Sequence, residues 1–103
     1  MKALLILISV LSLWFLSSCQ TVPAPVEEYT LARAAMDAAR NVQASRHSAG
    51  YWNQAEQAYR QGQESYRDHS WEQAKIEFSK ARIAAEKAEN SARLIRQKTG
   101  EVL

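Results

Sequence analysis

The stretch SWEQAKIEFSKARIAAEKAENSARLIRQK, residues 70–98, decides the fold. Trp71, Ala74, Phe78, Ala81, Ala85, Ala88, Ala92 and Ile95 recur in it at alternating steps of three and four. An α-helix turns once every ~3.6 residues, so this spacing places the whole set on one face, in the pattern of a helix packed along another helix. Glu, Lys, Arg and Gln, all good helix formers, fill most of the remaining positions. Ser70 with Gln73 three residues on reads as a capping box, in which the hydroxyl and the amide each satisfy an orphan backbone donor. Gly100 is the stop signal.

Working back from this helix, Asp68-His69-Ser70 is a turn, and residues 51–67 repeat the alternation through Trp52, Ala55, Tyr59, Gly62 and Tyr66. Folding on the turn makes an antiparallel hairpin with Trp71 beside Tyr66, Phe78 beside Tyr59 and Ala85 beside Trp52, so that large residues meet small ones. Upstream, residues 26–46 form a third helical segment. It opens at Pro25, and Glu27 and Glu28 complement its helix dipole. Its apolar stripe is Ala32, Ala35, Ala39 and Val42, widened by Leu31, Met36 and Ala38. The only break signal before the hairpin is His47-Ser48-Ala49-Gly50, with Gly50 as the cap. The fold class is therefore all-α: an antiparallel helical hairpin with an additional N-terminal helix, bundle-like, with coiled-coil-type seams.

The last helix is ~42 Å long against ~25 Å for its partner, so its seam overruns the hairpin at Ala92 and Ile95. Either the first and second helices are nearly continuous through Gly50, so that Val42 and Ser45 reach Ile95 and Ala92 within one chain, or the stripe is an interface with another copy or a partner protein. Gly50 inside a helix costs ~1 kcal/mol, which favours a three-helix arrangement with a projecting C-terminal end. Ala92 and Ile95, with the off-seam aromatic Tyr51, are the candidate interaction surface. The opposite face carries Glu56 with Arg60, Arg82 with Glu86, and Glu89 with Arg93, i,i+4 pairs of a solvated surface that contribute ~0.2–0.5 kcal/mol each.

At the other end of the chain a basic Lys2 precedes an apolar run over residues 3–16, then Ser17, Ser18 and the only cysteine, Cys19. This is the layout of a secretory signal peptide, and it falls short of the ~20 residues that span a bilayer. A lone cysteine excludes an internal disulfide. Leu16-Ser17-Ser18-Cys19 resembles the lipobox of bacterial lipoproteins. The resemblance implies diacylglycerol on the Cys19 sulfur, cleavage before Cys19 and acylation of the new amino terminus. Gln20, where inner-membrane retention would use Asp, implies the periplasmic face of the outer membrane over the inner membrane. The chain divides into a signal peptide (residues 1–18), a tether with Pro23 and Pro25 (19–25) and a helical domain (26–103).

The formal charge is +2 with Lys2 counted, which gives no basic footprint for nucleic acid. His47 and His69 sit beside turns without a carboxylate or cysteine cluster, so no metal site is expected, and no serine lies in a nucleophile motif. Catalytic residues, cofactors and a small-molecule substrate are not expected, and the chain reads as a non-enzyme.

Gly62, Trp71, Ala74, Phe78 and Ala81 resemble one tetratricopeptide hairpin, although His69-Ser70 stands where the repeat has Gly-Asp and no second copy follows. The order of lipobox, Pro-containing tether, Ala-rich helix at residues 31–44, Tyr51-Trp52, Trp71-Glu72-Gln73-Ala74 and Ala84-Ala85-Glu86-Lys87-Ala88-Glu89 is similar to a wider group. This is a family of small bacterial envelope lipoproteins with a helical domain of no assigned function, found alone or ahead of an OmpA-like domain. The expectation is a lipid-anchored structural or adaptor module with an envelope protein partner. The alternative is a self-associating helical spacer, with a small envelope toxin or immunity factor behind it. Without a C-terminal Lys, covalent attachment to peptidoglycan is not expected.

Overall fold

A computed structural model describes residues 1–14 and 23–100 of the chain, and these are helical almost throughout. The elements are α1 (Lys2–Trp14), α2 (Val26–Asn41), α3 (Ala44–His47), α4 (Ala49–Arg67) and α5 (Trp71–Lys98). Leu16, Ser17, Ser18, Cys19 and Gln20 lie outside the described residues. α1 is a short apolar helix that packs against no other described element, and Leu4, Leu5, Ile6 and Leu7 on it are exposed.

The other helices form an up-down-up bundle. α5 is its middle member, packing along both α4 and α2, whereas α2 and α4 approach each other at few points. The α4–α5 register follows from the two seams: the Tyr66 and Trp71 rings are 5.0 Å apart, those of Tyr59 and Phe78 5.6 Å, and Trp52 shares a cluster with Ala85. α2 runs parallel to α5. Near its start the Tyr29 ring meets Phe78 edge-on at 5.1 Å and Glu28 pairs with Lys75 at 3.8 Å. Near its end Arg40 lies 5.5 Å over the Trp52 ring.

Several boundaries differ from the sequence expectation. The first helix does not continue to residue 46: α2 stops at Asn41 and the chain turns through Gln43, at φ 58°, into the single turn of α3. The Gln43 N–H donates to the Arg40 carbonyl at 2.9 Å, so Gln43 fills the left-handed seat that closes many helices. Gly50 breaks nothing, being the second residue of α4. His69 takes the other left-handed seat, at φ 59°. Its N–H donates to the Tyr66 carbonyl, and that of Ser70 to the Ser65 carbonyl at 2.9 Å, the paired bonds of a Schellman motif. Ser70 precedes α5 without a side-chain cap bond, and Gln73 donates instead to Glu77 at 2.9 Å, so the capping box is not formed. Gly100, at φ 75°, ends α5 as its position suggests.

The core has two parts. Near the α4–α5 turn, Phe78 is fully buried among Ala32, Ala58, Ala74 and Ala81, with Tyr29, Tyr59 and Tyr66 closing over them. Farther along, Met36, Ala39, Val42, Ala44, Trp52, Ala85, Ala88 and Ala92 form a second cluster. Both clusters draw only on α2 to α5 and the residue between α2 and α3, so the bundle carries its whole core without α1.

Candidate functional site

The seam of α5 points inward, and directly opposite lies its solvent face. Ile76 and Leu94 are eighteen positions apart, about five turns at 3.6 residues each, and so lie on one line along the helix; Ile83 falls close to that line. All three are exposed: Ile76 47%, Ile83 45% and Leu94 59%. Lys80 and Lys87, also exposed, sit between them on the same face. A row of large aliphatic side chains in water forfeits the stabilisation that burial supplies, about 25 cal/mol per Å2 of apolar area.

Beside this row an open groove of about 420 Å3 runs between α4 and α5. Gln54, Gln57 and Gln61 of α4 line one wall, at steps of three and four. Glu77, Lys80, Ala84 and Lys87 of α5 line the other, with Ala58 and Ile83 contributing apolar surface. The Glu77 carboxylate is buried in this wall and accepts bonds from Gln73 Nε2 at 2.9 Å and from Lys80 Nζ at 3.5 Å. Hydrogen-bonding amides and ammonium groups beside an alanine floor suit contact with another surface.

Of the candidate interaction residues, Tyr51 is exposed near the start of α4, next to the α3–α4 junction. Ala92 is a correction. It is completely buried, in the cluster that contains Val42 and Ala44, so this part of the seam is core. The covering residues are Val42 and Ala44 where the sequence pointed to Val42 and Ser45; Ser45 is exposed. Ile95 is half-buried, and α5 opens to solvent around it at Arg93, Leu94 and Gln97. Leu31, expected to widen the α2 stripe, is exposed at 47%. Ile76, Ile83 and Leu94 were not singled out by the sequence reading, although their seven- and eleven-residue spacing carries the signal.

The three expected ion pairs are present on exposed faces: Arg60 with Glu56 at 3.5 Å, Arg82 with Glu86 at 3.0 Å and Arg93 with Glu89 at 2.9 Å. In the aromatic cluster, burial pushes the Tyr59 hydroxyl above its usual range, and a side-chain hydrogen bond with Tyr29 adds to the effect. Tyr59 is thus held neutral, as a packing group. Among the described residues, His, Cys, Asp and Glu come together nowhere in a group that could hold a metal ion. His47 borders the α3–α4 junction, and the His69 ring stacks edge-on against Trp71 at 5.0 Å.

No family model matches the chain, and no curated protein or solved structure does either.

Proposed function

We propose that this chain is a lipid-anchored lipoprotein of the bacterial envelope whose helical bundle acts as a structural or adaptor module. The observation that carries the reading is the division of labour along the chain. An apolar helix of 13 residues, with no contact to the bundle, precedes Leu16-Ser17-Ser18-Cys19, and a bundle with a self-sufficient core follows. Among the described residues no helix is long and apolar enough to cross a membrane, and the basic Lys2 ahead of the apolar run suits a segment removed on export. Acyl chains on Cys19 and on its amino group would then hold the chain to the bilayer, and two or more chains on one residue give stable anchoring. Similarity to the small envelope lipoproteins and the Gln20 position support the periplasmic face of the outer membrane. The exposed Tyr51, near the start of α4, is the surface offered to an envelope protein.

Intact mass of the chain purified from cell membranes tests the anchor. The expected product begins at Cys19 and carries a diacylglycerol and a further acyl chain, while Cys19→Ala stays uncut and unacylated. A wild-type product with a free Cys19 thiol rejects the reading. Crosslinking in living cells from a photoreactive residue at Tyr51 then identifies the partner. Ala92 is covered within its own chain, so that part of the α5 seam is open neither to a second copy nor to a partner protein.

A further inference from the structure

We propose that the outer face of α5 lies flat on an anionic bilayer surface, an inference that rests on the lipid-anchor reading and adds a second contact to it. Ile76, Ile83 and Leu94 form a single exposed line opposite the helix's own core seam, over a length of ~27 Å. Lys80, Lys87 and Lys98 flank the line and are exposed, Lys80 also reaching the buried Glu77 carboxylate at 3.5 Å, and Glu72 is the acidic residue nearest the line. Glu86, farther round the helix, is paired with Arg82 at 3.0 Å.

Aliphatic side chains on a line with lysines beside them are the components of a helix that rests in a membrane interface. The apolar row enters the headgroup boundary while the lysine stems lie along it and their ammonium groups reach phosphate oxygens. A second copy fits the same face poorly. Antiparallel pairing would bring Ile76 against Leu94, but the same register would bury Lys87 of each copy against the partner's Ile83, away from any carboxylate.

The anchor is within reach. α2 and α5 start at the same end of the bundle, where Glu28 meets Lys75. The seven residue steps from Cys19 to Val26 span at most ~25 Å, against a separation of ~8–10 Å between packed helices. Three aliphatic side chains and three lysines hold a surface weakly by themselves. Once Cys19 is in the same bilayer the contact becomes intramolecular, and weak affinity suffices. The flat pose leaves the outer sides of α2 and α4 facing away from the membrane.

The test uses the full chain reconstituted in vesicles of anionic phospholipid, carrying an environment-sensitive thiol label at Ile76→Cys, Ile83→Cys or Leu94→Cys, with Ala34→Cys on the outside of α2 as reference. Labels on the α5 row should shift to the blue and be quenched by lipids that carry a shallow quencher, whereas the label at Ala34→Cys should stay water-like. Quenching at Ile83→Cys should fall in zwitterionic vesicles and be lost in the Lys87→Glu, Lys98→Glu double variant, with circular dichroism unchanged because both lysines are exposed. The unmodified chain reports on the anchor, since an acylated Cys19 takes no label. If the unmodified chain resists labelling and the Ile83→Cys label stays water-like, the anchor stands and the flat pose is rejected. A blue shift without lipid quenching means that protein covers the row, a second copy included, and also rejects it. Quenching at Ala34→Cys equal to that at Ile83→Cys removes the orientation. Labelling of the unmodified chain removes the anchor, and the flat pose with it.

Discussion

At the end of the bundle where α5 begins, the core is built of rings; at the end where α4 begins, it is built mainly of methyl groups. The first end sets Phe78 among the rings of Tyr29, Tyr59 and Tyr66, at centroid distances of 5.1 to 6.4 Å. The second packs Ala39, Ala44, Ala85, Ala88 and Ala92 around Met36, Val42 and Trp52. Rings fill space from a distance and tie α2, α4 and α5 together through one residue. Alanines contribute little area each, and their benefit is that helix backbones approach closely. The ring end should therefore be sensitive to losing volume, and the alanine end to gaining it.

Phe78→Ala is the most severe way to break the contrast, because the side chain is fully buried and each tyrosine of the cluster touches it. The expected loss is ~3–5 kcal/mol. For a domain of this size each kcal/mol moves the midpoint by ~4–8 °C, so thermal unfolding followed by circular dichroism should show a fall of about 12 °C or more. A midpoint within a few degrees of wild type would mean that the tyrosines refill the site.

At the alanine end the informative change is the opposite one. Ala88→Leu adds three carbons at a completely buried position beside Ala92, Ala85 and Val42. Forcing extra methylenes into a packed core costs ~1–3 kcal/mol, and urea unfolding should show it as a lower midpoint with an unchanged slope. A Leu accommodated without loss would show that α2 and α5 are not in close contact there.

How much of this was legible in the sequence depends on which force sets each feature. The start and end of α5 and the pairing of Trp71 with Tyr66 and of Phe78 with Tyr59 were readable, because burial of a seam dictates both spacing and register. The reversal between α2 and α4 was readable only in part: the break at Ser48 falls within the expected stretch 47–50, but the earlier one at Val42 and Gln43 does not. Its left-handed seat is filled by Gln43, as the one after α4 is by His69, and neither residue advertises that conformation, whereas Gly50, which does, lies within a helix. Misplacing that reversal left Ala92 looking uncovered, since the cover supplied by Val42 and Ala44 depends on where α2 stops. The exposed position of Tyr51 followed from its lying off the seam. The row of Ile76, Ile83 and Leu94 went unread because lysines and glutamates between them made the face look like ordinary solvated helix.

The smallest expected effects come from the two glycines of α4, which sharpen the comparison because one touches the ring cluster and the other touches nothing. A Cβ at Gly62 would sit 2.8 Å from both Cδ1 and Cε1 of Phe78, so the ring must move. Ala gains up to ~1 kcal/mol over Gly from helix propensity, while overpacking costs ~1–3 kcal/mol, which leaves Gly62→Ala destabilising by roughly 1 kcal/mol. At Gly50 a Cβ meets no atom within 4 Å, and the residue is helical, so Gly50→Ala should be stabilising by a few tenths of a kcal/mol up to ~1 kcal/mol, least if the first turn of α4 frays. The decisive measurement is Gly62→Ala in the Phe78→Ala background. With the ring gone, the new methyl group enters the space the ring vacated, and the substitution should change sign and stabilise, giving a coupling energy of ~1–2 kcal/mol between the two sites. If Gly62→Ala destabilises equally in both backgrounds, its cost arises elsewhere in the α4–α5 contact and Phe78 does not set the spacing of the hairpin.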